Sequence, residues 1–288
     1  MMRLLASLIF FTRLPWWRLK SVPQEAFAHV VDYWPFVGWL TGGCMALVFW
    51  GASVAGWTTS VAALLAIVAR VLLTGALHED GLADFCDGFG GGTSRARTLS
   101  IMKDSHIGTY GVLGLIFYFG LLWTCFESLS LFYLPDYSIV YQLRGGSGAP
   151  ASDVLAGLDS PFTLEVKWVA VILLFDVLAK VAASLITGQL PYARTAEEAK
   201  NQVVYVGRTW QSWLWHALRC LLALSLPVGL CLWTGLSRVL LLLPVPFLVE
   251  WLLMRWMRRR LGGYTGDCCG ALFLLCELSL YLVFPLLF

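Results

Sequence analysis

The chain has 288 residues, 59% of them hydrophobic and only 13% charged, with a formal net charge of +2. That balance excludes an ordinary soluble domain, and the lack of a basic cluster interleaved with aromatics excludes a nucleic-acid partner. It describes an all-α, polytopic integral membrane protein whose main solvent is the lipid bilayer.

In chain order, the stretch 1–14 is apolar but too short and too charged to span, so it predicts an N-terminal interfacial or re-entrant helix. Thr12-Arg13-Leu14-Pro15 follows where the small residues of a signal-peptide cleavage site would stand. Apolar runs near 34–56, 60–77, 109–132, 167–190, 213–234, 237–254 and 268–287 predict about seven transmembrane helices. Together they predict a single transmembrane domain over residues 1–288. Residues 134–166, with Gly145-Gly146-Ser147-Gly148, predict one long flexible loop on the extracytoplasmic side. The 14 Trp gather partly near run ends, as an interfacial aromatic belt requires. The 8 Cys are scattered with no disulfide spacing, and Cys268-Cys269 reads as small apolar filler.

Lys and Arg set the orientation. They cluster before the first run (Arg3, Arg13, Arg18, Lys20), after the second (Arg95, Arg97, Lys103), after the fourth (Arg194, Lys200, Arg208) and after the sixth (Arg255, Arg258, Arg259, Arg260). The positive-inside rule turns all four segments toward the cytoplasm and leaves the C-terminus outside.

The chemistry concentrates at one of these mouths. His78-Glu79-Asp80-Gly81-Leu82-Ala83-Asp84-Phe85-Cys86-Asp87-Gly88 carries four carboxylates in an otherwise apolar chain. On a helix, Asp80, Asp84 and Asp87 fall at i, i+4 and i+7 and share one face. Two carboxylates about 4 Å apart repel by about 4 kcal/mol at an effective dielectric near 20, so the stripe needs a cation. Ligands that are all oxygen favour a hard divalent ion such as Mg²⁺ or Mn²⁺, and therefore phosphate chemistry. His78-Glu79 does not open a zinc-protease motif, because Leu82 stands at the second His position. A zinc site on His78 and Cys86 lacks two further ligands.

Phe89-Gly90-Gly91-Gly92-Thr93-Ser94-Arg95 follows, a Gly-rich stretch whose backbone could meet an anion, though no Walker A lysine ends it. Lys103-Asp104-Ser105 leads to Ile107-Gly108-Thr109-Tyr110-Gly111. Two further segments share the character: Tyr192-Ala193-Arg194 running to Asn201 and Arg208, and Gly262-Gly263-Tyr264-Thr265-Gly266-Asp267. Asp267 reads either as the N-cap of the last helix or as part of the site. Asp176 and Lys180, four apart inside a span, either neutralise each other or wall a substrate cavity.

Taken in order, these motifs resemble the adenosylcobinamide-GDP ribazoletransferase (cobalamin-5′-phosphate synthase) family over nearly the whole chain. The most specific pieces are His78 with Asp80-Gly81-Leu82-Ala83-Asp84 and Asp87-Gly88, and Lys103-Asp104-Ser105 with Ile107-Gly108-Thr109-Tyr110-Gly111. Thr12-Arg13-Leu14-Pro15, Trp34-Pro35-Phe36-Val37-Gly38 and Thr265-Gly266-Asp267 add to the set. Three residues depart from the family pattern: Glu79, an extra acid where an apolar residue is usual, and His106 and Lys180, each where an Arg is usual. The resemblance implies an Mg²⁺-dependent transferase of the bacterial cytoplasmic (inner) membrane, with its active site facing the cytoplasm. It would join adenosylcobinamide-GDP to α-ribazole or its 5′-phosphate and release GMP.

On that reading Asp80, Asp84 and Asp87 hold the metal, and Asp87 either completes the site or acts as base. Lys103, with Arg95, stabilises the departing phosphate. Arg13, His78, Arg95, Asp104, Ser105, Asn201, Thr265 and Asp267 contact substrate, and Asp104 and Asp267 could hold a second metal. Oligomers and contacts with other corrinoid-pathway enzymes stay open. Two rivals share the composition: a CDP-alcohol phosphotransferase acting on lipid, and a polytopic ion transporter using intramembrane acids.

Overall fold

The computed structural model describes residues 1–131, 161–194 and 208–287. Among these, six helical stretches are long and apolar enough to cross a membrane, and a bent pair brings the number to seven. The expected loop 134–166 lies mostly outside the described residues, as does Asn201. Its end is corrected, because a helix already begins at Pro161, a residue suited to a first helical turn.

The helices are α1 (Met2–Phe11), α2 (Trp34–Val54), α3 (Thr59–Thr74), α4 (Leu77–Gly91), α5 (Arg95–Ile101), α6 (Thr109–Leu131), α7 (Pro161–Ser184), α8 (Ile186–Gln189), α9 (Trp210–Trp233), α10 (Val245–Leu261) and α11 (Gly266–Val283). Arg258, Arg259 and Arg260, expected in a loop, occupy the last turn of α10. Cations there oppose the negative end of the helix dipole.

α7 is the central, almost wholly buried helix. It packs most closely on α2, where Gly38 and Gly42 admit it: a Cβ on Gly38 would lie 2.9 Å from Asp176 Oδ1, and one on Gly42 2.8 Å from Asp176 Cβ. Small residues at such a crossing let backbones approach. The approach delivers Thr41 Oγ1 to Asp176, donating at 3.0 Å.

Asp176 also holds Lys180 and lies 3.9 Å from Arg70. Arg70 in turn donates to Glu277 and, at 2.7 Å, to Tyr118. Lys180 Nζ sits 3.8 Å from the centre of the Phe273 ring. All four charged side chains are at most 1% exposed. An unpaired charge at this depth costs several kcal/mol, so two acids and two bases drawn from α3, α7 and α11 neutralise one another. Asp176 and Lys180 therefore belong to an internal ion network.

Gly75 and Ala76 adopt left-handed φ values of 66° and 58°, which stops α3 and turns the chain by 90° into α4. Gly75 is needed twice over. Its φ suits only glycine comfortably, and Arg13 Nε would lie 2.0 Å from any Cβ there. Arg13 N also donates to Leu73 O at 2.7 Å. The Thr12-Arg13 segment after α1 thus clamps the break that aims α4.

Candidate active site

α4 is the acidic helix, and its four carboxylates face different surroundings. Asp80 is exposed and Asp84 half-buried. Glu79 is 4% exposed, with both carboxylate oxygens lacking a hydrogen-bond partner, and it turns into the bundle within electrostatic reach of Arg70. Asp87 is 7% exposed. Its Oδ2 accepts from Gly108 N–H at 2.7 Å and its Oδ1 from Gly111 N–H at 2.8 Å. It therefore caps the start of α6, where orphan amides and the positive dipole end favour an anion.

Both glycines are required by this cap, since a Cβ at either would lie 2.5 Å from an Asp87 oxygen. The acidic motif and the Ile107–Gly111 motif are thus one structural unit. Of the three carboxylates expected to form a metal stripe on this helical face, the third holds α6.

The partner that approaches Asp80 comes from the far end of the chain. α4 crosses α11 so closely that a Cβ on Gly81 would lie 2.9 Å from Asp267 O, and one on Gly270 3.0 Å from His78 O. Asp80 and Asp267 consequently line the same cavity, of about 130 Å³, together with His78, Tyr192 and Arg194. Phe10, Phe11 and Trp34 form its apolar wall. The His78 ring stacks on Trp34 at 5.5 Å and meets Phe273 edge-on at 4.9 Å, while its Nε2 is buried without a partner. Such a volume suits the reacting group of a substrate, with the remainder lying outside.

Asp267 is not the N-cap of α11. Thr265 is: its hydroxyl accepts from Cys268 N–H and donates to Asp267 Oδ2 at 3.3 Å. That leaves Asp267 in the first turn, with Arg194 Nη1 4.0 Å away.

The segment carrying Tyr192 and Arg194 is held against the glycines before α11. Ala193 N–H donates to Tyr264 O at 2.8 Å and Tyr264 N–H to Pro191 O at 3.0 Å. Gly263 admits this pairing, since its Cβ would lie 2.3 Å from Pro191 O. Burial pushes the Tyr192 phenol up to about 12, so it stays protonated and can donate.

Cations brace the same end. Arg95 donates to Leu261 O at 2.7 Å and Ala193 O at 2.9 Å, closing the C-terminus of α10. Arg260, from that helix, donates to Gly92 O at 2.6 Å and closes α4 in return. Arg95, Lys103 and Arg194 line a second, larger cavity of about 680 Å³ that shares Tyr192 and Arg194 with the first. Arg13, expected at the substrate, borders a third of about 190 Å³ with Thr74, Gly75 and Leu77. Asp104 is exposed and hydrogen-bonded to His106 Nδ1 at 2.7 Å, which holds its carboxyl below the ordinary range. Neither it nor the exposed Ser105 borders these cavities.

Among the described residues, no three His, Cys, Asp or Glu side chains gather into a ready-made ligand group. Two carboxylates on one cavity wall are nevertheless what Mg²⁺ needs, because it keeps waters and borrows phosphate oxygens from substrate. The donor set fits such an ion.

The sequence profile described as cobalamin-5-phosphate synthase matches residues 3–285. A relative in Leptothrix cholodnii, named adenosylcobinamide-GDP ribazoletransferase, is 37% identical over 96% of this chain and 92% of its own. The chain belongs to the cobalamin-5-phosphate synthase family. A similarly named relative in Shewanella amazonensis is 37% identical over 98% of this chain and 94% of its own. In Bradyrhizobium diazoefficiens another is 47% identical, over 45% of this chain and 49% of its own. No solved structure matches.

In this member of the cobalamin-5-phosphate synthase family Arg194 stands in a basic segment whose sequence alone assigns it no role. The signal was Tyr192-Ala193-Arg194 beside a Gly-rich approach to Asp267, and it required knowing that the two segments pair.

Proposed function

We propose that this enzyme joins adenosylcobinamide-GDP to α-ribazole or its 5′-phosphate, releasing GMP, in an Mg²⁺-dependent reaction. One observation carries the reading: Asp80 from the acidic helix and Asp267 from the last helix open into a single cavity beside Arg194. Family membership and the relatives' names support the donor. Asp80 and Asp267, with Asp84 one turn further along α4, would hold the ion. Bound there, Mg²⁺ would neutralise phosphoryl charge and polarise the entering and leaving oxygens.

The protein's own part is positioning. Arg194 directs its guanidinium at a phosphoryl oxygen, matching planar donors to an anion. The Phe10–Phe11–Trp34 wall keeps water from the reacting bond, and His78 Nε2 meets a substrate polar group. The attacking ribazole hydroxyl forms a bond to the phosphorus next to the aminopropanol linker and gives up its proton to solvent, while the bond from that phosphorus to the bridging oxygen breaks and GMP departs with the oxygen. Asp87 acts indirectly, by fixing α6 against α4. The active site faces the cytoplasm across the bacterial inner membrane, since Arg13, Arg95, Arg194 and Arg260 lie at its end of the bundle.

Purified protein given adenosylcobinamide-GDP, Mg²⁺ and alternative acceptors tests this. GMP release with α-ribazole or its phosphate is expected. Release only with diacylglycerol or inositol would replace the reading with a lipid phosphotransferase.

A further inference from the structure

The second cavity has a different chemistry from the first. Arg95, Lys103 and Arg194 line it with Ser100, and no carboxylate among the described residues does. A metal-bridged diphosphate belongs where Asp80 and Asp267 stand; a bare anion belongs where cations stand without acids. Arg95 and Arg194 are partly committed to the Leu261, Ala193 and Leu99 carbonyls. The Lys103 ammonium has no ion-pair or side-chain hydrogen-bond partner among the described residues. Tyr192 and Arg194 border both cavities, so an anion in the second lies next to the group reacting in the first.

We infer that this cavity is a phosphomonoester subsite, in which Lys103 and Arg194 hold a phosphate dianion that is not the one being transferred. The inference rests on the proposed reaction, which supplies two sources of that group: the 5′-phosphate of a phosphorylated acceptor, and the nucleoside monophosphate that leaves. At neutral pH such a group carries nearly two charges and binds without a metal. The donor's diphosphate stays in the acidic cavity, and the two anions are kept apart by Arg194.

The test uses full-length protein in detergent or nanodiscs. Ala96 borders the cavity on the exposed face of α5 and takes no part in catalysis, so Ala96→Glu places a negative charge there without disturbing the core. α-Ribazole 5′-phosphate and GMP are each titrated calorimetrically into wild type and variant, with no donor present. About tenfold weaker binding of the phosphorylated acceptor identifies the acceptor source; the same loss for GMP identifies the leaving nucleotide. Ala96→Lys should tighten whichever ligand responds, and Lys103→Gln should weaken it, which keeps the test open if one variant fails to fold.

Turnover gives the second readout: Ala96→Glu leaves KM for unphosphorylated α-ribazole unchanged. Dissociation constants for both ligands that are equal in wild type, Ala96→Glu and Lys103→Gln would overturn the subsite. Absence of GMP release by wild type would instead overturn the reaction, and the titrations would still decide the subsite.

Discussion

Replacing Asp87 by Asn separates a capping role from a metal-binding one. Both Asp87 oxygens accept backbone N–H bonds, at 2.7 and 2.8 Å, in a side chain that is 7% exposed. The amide keeps one acceptor and turns an NH₂ donor toward the second N–H, leaving a buried donor unpaired and removing the charge from the α6 terminus. Losing a charge-assisted bond and its helix-end interaction costs about 2–4 kcal/mol. For a protein of this size that is a fall of roughly 5–10 °C in the unfolding midpoint. Thermal unfolding in detergent, followed by tryptophan fluorescence alongside GMP release, measures both effects. Asp87→Asn should lose stability and turnover together. A variant with the wild-type midpoint and no turnover would refute the cap and return Asp87 to the reacting groups.

Asp80→Asn should abolish GMP release while shifting stability by less than about 0.5 kcal/mol, because Asp80 is exposed at the cavity; Asp267→Asn should abolish it too but cost about 1 kcal/mol, because Asp267 accepts from Thr265 and faces Arg194 in the first turn of α11, and the same unfolding assay checks both. Lys180→Met should cost about 3–5 kcal/mol by taking from buried Asp176 its nearest cation and leaving the network one positive charge short, and the double variant Lys180→Met/Asp176→Leu should recover much of the loss of folded protein. Gly81→Ala should push α4 from α11, since its Cβ would meet Asp267 O at 2.9 Å, and raise the Mg²⁺ concentration needed for half-maximal rate. Tyr192→Phe should leave the alkaline side of the pH–rate profile unchanged, because a phenol pushed up to about 12 stays neutral throughout the working range. An alkaline limb that vanishes in Tyr192→Phe would contradict that.

The span positions were legible because apolar runs of bilayer length carry their own signal, and the ends of α2, α3, α6, α9 and α11 fall within a few residues of it. Helical spacing also put Asp80, Asp84 and Asp87 on one face of α4, and Arg95 and Arg260, which lie in separate cationic segments, brace the same end of the bundle. What the spacing could not carry is the identity of the neighbour that covers each part of that face. α6 claims Asp87, the bundle core claims Glu79, and α11 brings Asp267 to Asp80 from 187 residues further along the chain. The 90° break at Gly75-Ala76 was hidden for a related reason. Two left-handed residues are a backbone event, and only Arg13 packed over Gly75 explains why they stay. The intramembrane network was half visible. Asp176 and Lys180 are four apart and signalled a pair, whereas Arg70 and Glu277 each stand alone in separate spans and meet only in the fold.

Mn²⁺ electron paramagnetic resonance in the presence of GDP tests the central claim, that Asp80 and Asp267 jointly seat a divalent ion against a nucleoside diphosphate. Wild-type protein should bind Mn²⁺ with phosphorus coupling from the diphosphate, and both Asp80→Asn and Asp267→Asn should lose that bound signal. Retention of the wild-type signal and affinity in both variants would contradict the account.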